Sequence, residues 1–232
     1  MKFTWLLFDA DNTLLDFTSA SHQAFKQNCE DFKIPYLPTT YPTYKKINAA
    51  VWTAFEQGQI TAEKLRIERM ALFLEAIQRT DVDPLHFSGG YIDNMILNSE
   101  MYHGVRDLLE HLQKKYRLSI VTNGLKEAQR PRLARLNLFS YFESVVVSDE
   151  IGVAKPAKAF FDYVYWSIPN PPPKSEILMI GDSLHSDIAG GKNFGVKTCW
   201  LNHGKKNETT IQPDFEIREV HGLKGLLDGL MA

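Results

Sequence analysis

Phe3-Thr4-Trp5-Leu6-Leu7-Phe8-Asp9-Ala10-Asp11-Asn12-Thr13-Leu14 begins with a short apolar run that stops at two carboxylates. An apolar run of this length, without polar alternation, suits a strand buried on both faces, as in a parallel sheet. Similar runs recur at 118–121, 145–147, 177–180 and 197–201. Helical spacing separates most of them. Val105, Leu108, Leu109 and Leu112 form one stripe; Phe160, Phe161 and Val164, with Ile168 one turn on, form another. Val220, Leu223, Leu227 and Leu230 mark a C-terminal helix. Strands alternating with helices from about residue 100 predict an α/β fold built on a doubly wound, Rossmann-like parallel sheet.

The stretch between the first strand and residue 100 reads differently. Met70, Phe73, Leu74 and Ile77 keep helical spacing, as do Ile92, Met95 and Ile96, and no buried-strand run interrupts them. Thr61 suits an N-cap with Glu63 in the first turn. Pro35, Pro38, Pro42 and Pro84 divide the stretch into about four helices. The chain therefore divides into an α/β core, residues 1–16 and 100–232, and an inserted helical cap, residues 17–99. Both linkers must leave and re-enter beside the end of strand one, which makes the insertion a lid by position. A separate helical domain with no role at the site is the alternative.

Composition narrows the functional classes. Lys and Arg total 26 and Asp and Glu total 28, so the formal net charge is -2. No global basic surplus points to a nucleic-acid polymer or an anionic membrane. Cys29 and Cys199 are too few for a disulfide scaffold and form no C-x-x-C pair, so two core thiols in a reducing compartment are expected. The N-terminal apolar run is too short for a signal peptide. No stretch approaches the ~20 apolar residues that span a bilayer. These features predict a cytoplasmic protein without a membrane partner, and leave its oligomeric state open.

The candidate chemistry sits at strand ends. Asp9 and Asp11, two apart after a buried strand, repel each other and call for a cation or a cationic side chain; a solvated turn is the plainer alternative. Thr122-Asn123-Gly124 is either a simple turn or an anion-binding loop. Lys155 precedes Pro156, which biases it away from the α region; a surface lysine before a helix with Pro at N1 is the alternative. Gly181-Asp182 ends another apolar run, and Asp187 is either part of that site or a helix cap. The sheet topology should bring these positions to one edge, where open α/β sheets bind ligands.

Together the motifs resemble those of the haloacid dehalogenase superfamily, in the phosphatase branch with a helical cap after strand one. They read Asp9-x-Asp11-x-Thr13, Thr122, Lys155-Pro156 and Gly181-Asp182-x-x-x-x-Asp187. The resemblance implies that Asp9 is the nucleophile and Asp11 the general acid and base. It implies Mg²⁺ held by the Asp9 carboxylate, the Asp11 backbone carbonyl and Asp182. Thr122 and Lys155 would bind the phosphoryl group, aided by backbone N–H groups around Ala10 and Asn123. Asp187 would orient water or Lys155. Asn12 departs from the family's usual glycine, but Asn tolerates left-handed backbone. Asp11 argues against the dehalogenases, which need no acid for an alkoxide.

The stretches around Asp9, Thr122, Lys155 and Thr198-Cys199-Trp200-Leu201-Asn202 resemble the pyrimidine 5′-nucleotidase branch. That implies a small phosphate monoester, a nucleoside monophosphate, as the partner. In the cap, Asn48 and Trp52 then become candidates to hydrogen-bond and stack a base; Trp52 as cap core is the alternative. The alternatives on the same core are a sugar-phosphate or N-acylneuraminate-phosphate phosphatase, and, from another class, a phosphorylation-switched receiver. The Pro-rich stretch 168–174 reads as a stiff surface loop.

Overall fold

All six strands of the sheet run parallel, because each returns through a crossover rather than a hairpin. A computed structural model supplies the fold, and residues 2–231 are described. The strands are β1 (Trp5–Phe8), β2 (Arg117–Thr122), β3 (Ser144–Val147), β4 (Ile177–Gly181), β5 (Lys197–Leu201) and β6 (Phe215–Ile217). Their spatial order is β3-β2-β1-β4-β5-β6. β6 is a short edge strand that sequence patterning misses, since only Ile217 of its three residues is buried.

Every residue of β1 and β4 is buried, as the unalternated apolar runs require. Successive strand side chains point to opposite faces. Trp5 and Leu7 accordingly join one core with Val121, Met179, Phe160, Phe161 and Val164. Leu6 and Phe8 are buried without belonging to that cluster. The stripes read from sequence lie on helices α5 (Val105–Leu112), α8 (Lys158–Ser167) and α10 (Gly222–Met231). Pro156 precedes α8 by two residues rather than occupying its first turn, and its bond to Lys155 is cis.

The register fixes the functional edge. Phe8 pairs with Ile120 on one side and Ile180 on the other, so the residues after all three emerge at the same end of the sheet. Strand succession runs outward through β2 and β3, then reverses to β4 on the far side of β1. In open α/β sheets such a reversal opens a crevice beyond the strand ends.

The chain forms two compact units. One comprises the residues up to Asp16, Glu100–Asn123, and everything from Leu136 on. The other comprises Phe17–Ser99 together with Gly124–Arg135. The second segment differs from the sequence reading, which assigns 124–135 to the core. The reason is tertiary: α6 (Lys126–Arg135) carries Glu127, which takes a two-pronged ion pair from Arg66, and Arg132, whose Nε donates to Ser99 Oγ at 2.6 Å.

The helical unit contains α1 (Phe17–Asp31), α2 (Thr40–Glu56), α3 (Ala62–Ala76) and α4 (Pro84–Asn98), besides α6. Thr61 Oγ1 caps α3 by accepting from Lys64 N, and Asp83 caps α4 ahead of Pro84. Pro42 falls in the first turn of α2 instead of separating helices; N–H groups there have no intrahelical acceptor, so proline costs nothing. The unit's core is aromatic. Phe25 stacks on Tyr44 with centroids 4.0 Å apart and meets Phe73 edge-on at 4.9 Å. Phe73 in turn stacks on Phe87. Cys29 and Cys199 are free and buried, and burial pushes both thiols up to about 12. Among the described residues no helix is long and apolar enough to cross a membrane.

Phe73 is fully buried and packs against three rings, those of Phe25, Tyr44 and Phe87, so Phe73→Ala should destabilise the protein by about 3–5 kcal/mol. Urea unfolding followed by circular dichroism measures this; a loss below about 1 kcal/mol would contradict the packing.

Candidate functional site

The loop after β1 is held by its own backbone. Asp9 N donates to Ile180 O at 2.9 Å, tying the strand exit to β4. Ala10 O accepts from both Leu14 N and Leu15 N at 2.9 Å, which closes a tight turn. Asn12 occupies the left-handed region at φ 53°, as its tolerance for that conformation predicts. Asn12 N returns to Leu15 O at 2.8 Å. The segments leading to the helical unit also run side by side, with Asp16 N donating to Glu100 O at 3.0 Å.

Lys155 is the centre of the site. Its ammonium donates to Asp9 Oδ1 at 2.7 Å, Asp187 Oδ1 at 2.6 Å and Val121 O at 2.7 Å. Three acceptors match its three protons. The side chain is 1% exposed, so these bonds form away from water. Its main chain is gripped as well: Asn123 Nδ2 donates to Lys155 O at 2.8 Å, and Lys155 N donates to Asn123 Oδ1 at 2.9 Å. Asn123 entered the sequence reading only through its backbone N–H. The structure gives its side chain a separate job, holding the lysine's peptide.

Asp187 uses its second oxygen too, accepting from Ser183 N at 3.0 Å. It lies in a single π-helical turn, Leu184–Ala189, and Ser183 provides the cap by accepting from Ser186 N. A Cβ on Gly181 would stand 2.1 Å from Asp187 Oδ2, so only glycine lets this carboxylate approach the β4 backbone. Asp182, the next residue, is steadied from behind: Trp200 Nε1 donates to its carbonyl at 2.8 Å. His203 Nε2 lies 2.6 Å from Asn12 O, and its ring packs against Tyr102. Sequence reasoning missed both roles. Each contact joins separate parts of the chain; the stretch 198–202 enters the sequence reading only as a resemblance, without a role for Trp200, and His203 stands outside every motif.

Carboxylate oxygens of Asp9, Asp182 and Asp187 lie within 4.8 Å of one another. The donor set is all oxygen and suits a hard cation. Asp11 contributes no side-chain oxygen to this cluster; Asp187 does, although the sequence reading gave it an orienting role. Thr122 is buried at the end of β2, and Ala10 is buried in the β1 loop.

The electrostatics follow from crowding. Burial lifts the Asp9 carboxyl well above its ordinary value; Lys155 opposes this, while Asp187, Asp182 and Asp11 reinforce it. Burial, then Asp187, raises Asp182 from 3.8 to about 7 against the pull of Lys205 and Lys155. Burial alone would lower the Lys155 ammonium, but Asp187 and Asp9 outweigh it and hold it above its usual value.

Asn48 and Trp52 belong to the helical unit, both half-buried on α2. Asn48 Oδ1 accepts from Tyr44 Oη at 3.3 Å and Arg69 Nη1 at 3.2 Å, and Trp52 meets Phe55 edge-on.

Comparisons with known proteins follow the same pattern. Residues 3–195 match the haloacid dehalogenase-like hydrolase family. The chain is 35% identical over 228 residues to the pyrimidine 5′-nucleotidase YjjG of Escherichia coli, covering 98% of this chain and 99% of that one. It is 33% identical over 231 residues to the pyrimidine 5′-nucleotidase PynA of Streptococcus pneumoniae, covering 98% and 96%. Among solved structures, the HAD-hydrolase YfnB of Bacillus subtilis, bound to magnesium, superposes with a TM-score of 0.92 at 35% identity, covering 98% and 100%.

The raised carboxyls have a stability consequence in metal-free protein. Asp182 titrates at about 7 when folded against an ordinary value of 3.8. The folded chain therefore binds more protons across that window, and the group's contribution to stability falls as pH rises through it. Asp182→Asn should be more stable than the parent at about pH 8 and similar to it only below the unfolded value, at about pH 3.5, in EDTA. Urea midpoints at both pH values test this; a variant less stable than the parent at pH 8 would refute it.

Proposed function

The chain belongs to the haloacid dehalogenase-like hydrolases, and from that premise we propose that it is a Mg²⁺-dependent phosphomonoesterase acting on pyrimidine nucleoside 5′-monophosphates. The observation that carries the chemistry is the buried Lys155 bound to Asp9 and Asp187, with Asp182 beside them, at one sheet edge. The full-length similarity to two pyrimidine 5′-nucleotidases supports the substrate class.

Asp9 is the nucleophile in this reading. Lys155 holds its Oδ1 and fixes the rotamer, which leaves Oδ2 to attack. A bond forms from Oδ2 to phosphorus as the bond from phosphorus to the ester oxygen breaks. Asp11 gives its proton to the departing alkoxide. Water then adds to phosphorus while Asp11 takes a proton from it, and the Asp9–phosphorus bond breaks to release phosphate. Thr122 and the backbone N–H groups near Ala10 and Asn123 donate to the phosphoryl oxygens. The carboxylates of Asp9 and Asp182, with the Asp11 carbonyl, would hold Mg²⁺, which supplies positive charge between an anionic nucleophile and an anionic ester. Asp187 keeps Lys155 in place rather than binding substrate, because its two oxygens serve Lys155 and Ser183.

A panel of phosphate esters, assayed with Mg²⁺ and with EDTA, tests this reading. Pyrimidine nucleoside monophosphates should exceed sugar phosphates and N-acylneuraminate phosphate in kcat/KM. Equal or better turnover of the sugar esters would reject the nucleotide assignment. EDTA should stop the reaction and Mg²⁺ restore it; metal-independent turnover would contradict the site.

Asp9→Asn should reduce kcat by at least about 10³-fold without loss of fold. Residual activity near wild type would remove Asp9 from the nucleophile's role. Lasting phosphorylation of Asp9 without turnover would instead support a receiver protein.

A further inference from the structure

One contact at the catalytic sheet edge joins residues 191 apart: His203 Nε2 meets the carbonyl oxygen of Asn12 at 2.6 Å. A carbonyl only accepts, so Nε2 carries the hydrogen and donates it. Asn12 stands between Asp11, the acid of the mechanism, and Thr13, with its backbone left-handed at φ 53°. Side chains disfavour that conformation, and a residue kept in it needs bonds that hold it there. Asn12 has such bonds on both sides. Its N donates to Leu15 O at 2.8 Å, and its O accepts from His203. All the residues concerned belong to the unit that carries the sheet.

The imidazole is aimed by a purpose-built turn. Lys205 N donates to Asn202 O at 2.9 Å, and φ is positive at both residues between them, 52° at His203 and 76° at Gly204, as in a type I′ turn. Asn202 braces the turn: its Oδ1 accepts from Gly204 N at 2.7 Å, and its N donates to Ile217 O at 3.0 Å. The chain thus keeps a histidine where glycine or asparagine is the easier choice. Tyr102 packs on the imidazole with centroids 5.2 Å apart, and its own N donates to Leu14 O at 3.0 Å, in the same loop as Asn12. Burial, then the charges of Asp16, Asp182 and Asp11, push the Tyr102 phenol up to about 12, in keeping with a ring that stands among the site's carboxylates. The two rings border a cavity of about 170 Å³, so packing is open on one side. The bond to Asn12 O, more than packing, fixes the imidazole.

We propose that His203 is a positioning residue for the general acid: by holding the Asn12 carbonyl it fixes the turn that aims Asp11 at the ester oxygen. The inference rests on the phosphomonoesterase chemistry above, but not on which ester is hydrolysed. As the bond from phosphorus to the ester oxygen breaks, its electron pair goes to that oxygen, and Asp11 supplies the proton. An alkyl ester needs this proton. A p-nitrophenyl ester does not, because its ring delocalises the departing charge. Misaiming Asp11 therefore slows the first kind of ester and spares the second.

The test compares kcat/KM, which reports formation of the aspartyl-phosphate, for p-nitrophenyl phosphate and for UMP, or for whichever alkyl ester of the panel the wild type turns over fastest. Glycine adopts a left-handed backbone freely, so His203→Gly should keep its melting temperature. Its kcat/KM should fall about tenfold or more for the alkyl ester and less than about threefold for p-nitrophenyl phosphate. His203→Asn also tolerates the backbone but is too short to reach Asn12 O; it should show the same split, and it decides the matter if the glycine variant unfolds. A merely structural histidine would act on every substrate alike, so equal losses for the two esters overturn the inference, whatever the melting temperature. Unchanged kcat/KM for both esters overturns it as well. If the wild type turns over no phosphate ester, the phosphomonoesterase reading fails and this inference with it; if it turns over both kinds and neither variant shows the split, only the present inference fails.

Discussion

One ammonium group organises the catalytic unit. Lys155 spends all three of its protons inside the protein, on Asp9 from the β1 exit, Asp187 from the turn after β4, and the Val121 carbonyl of β2. A buried lysine is tolerable only with such saturation, and the two buried carboxylates are tolerable only with the lysine. Each of these parts therefore requires the others. The parallel register makes the meeting possible, because β2, β1 and β4 are neighbours that end together. Asn123 extends the constraint to the lysine's own peptide, and the missing Cβ of Gly181 leaves the room that Asp187 needs.

What could be read from sequence divides along a physical line. Strands buried on both faces announce themselves as unalternated apolar runs, so β1, β2, β3, β4 and β5 were legible. The motif residues were legible because each follows such a run at once, and strand ends of a parallel sheet share an edge. β6 was not, because a three-residue edge strand with one buried side chain carries no distinctive pattern. The grouping of α6 with the helical unit was not, because it depends on Arg66 finding Glu127 across 61 residues. Trp200 and His203 serve the site through bonds to main-chain carbonyls. Such contacts place little demand on local sequence and leave no trace in spacing. Pro42 misled for the opposite reason: proline is a strong local signal whose meaning reverses between a helix interior and its first turn.

Net charge illustrates how little a global quantity says about a local one. The chain's formal charge of -2 is nearly neutral for 232 residues. At the β-sheet edge, Asp9, Asp182 and Asp187 crowd together around Lys155, with Lys205 also pulling on Asp182. The helical unit shows the reverse imbalance on a smaller scale, with Arg69 buried and no carboxylate paired with it among the described residues. Both imbalances survive in interiors where desolvation makes them expensive, and proteins keep such expense chiefly where a ligand offsets it.

The sheet-edge imbalance also bears on the proposed reading. Protons meet the excess charge when nothing else does, which is why Asp9 and Asp182 hold theirs above the usual carboxylate range. A phosphate ester approaching that state would add up to two negative charges to a crowded anionic site. A dication and a dianionic ester together add no net charge. On the proposed reading, an ester would bind more favourably once a cation had displaced the protons, because a cation is bound best when the carboxylates are free of them. Lys155 cannot substitute for that cation, because its charge is already committed to Asp9 and Asp187.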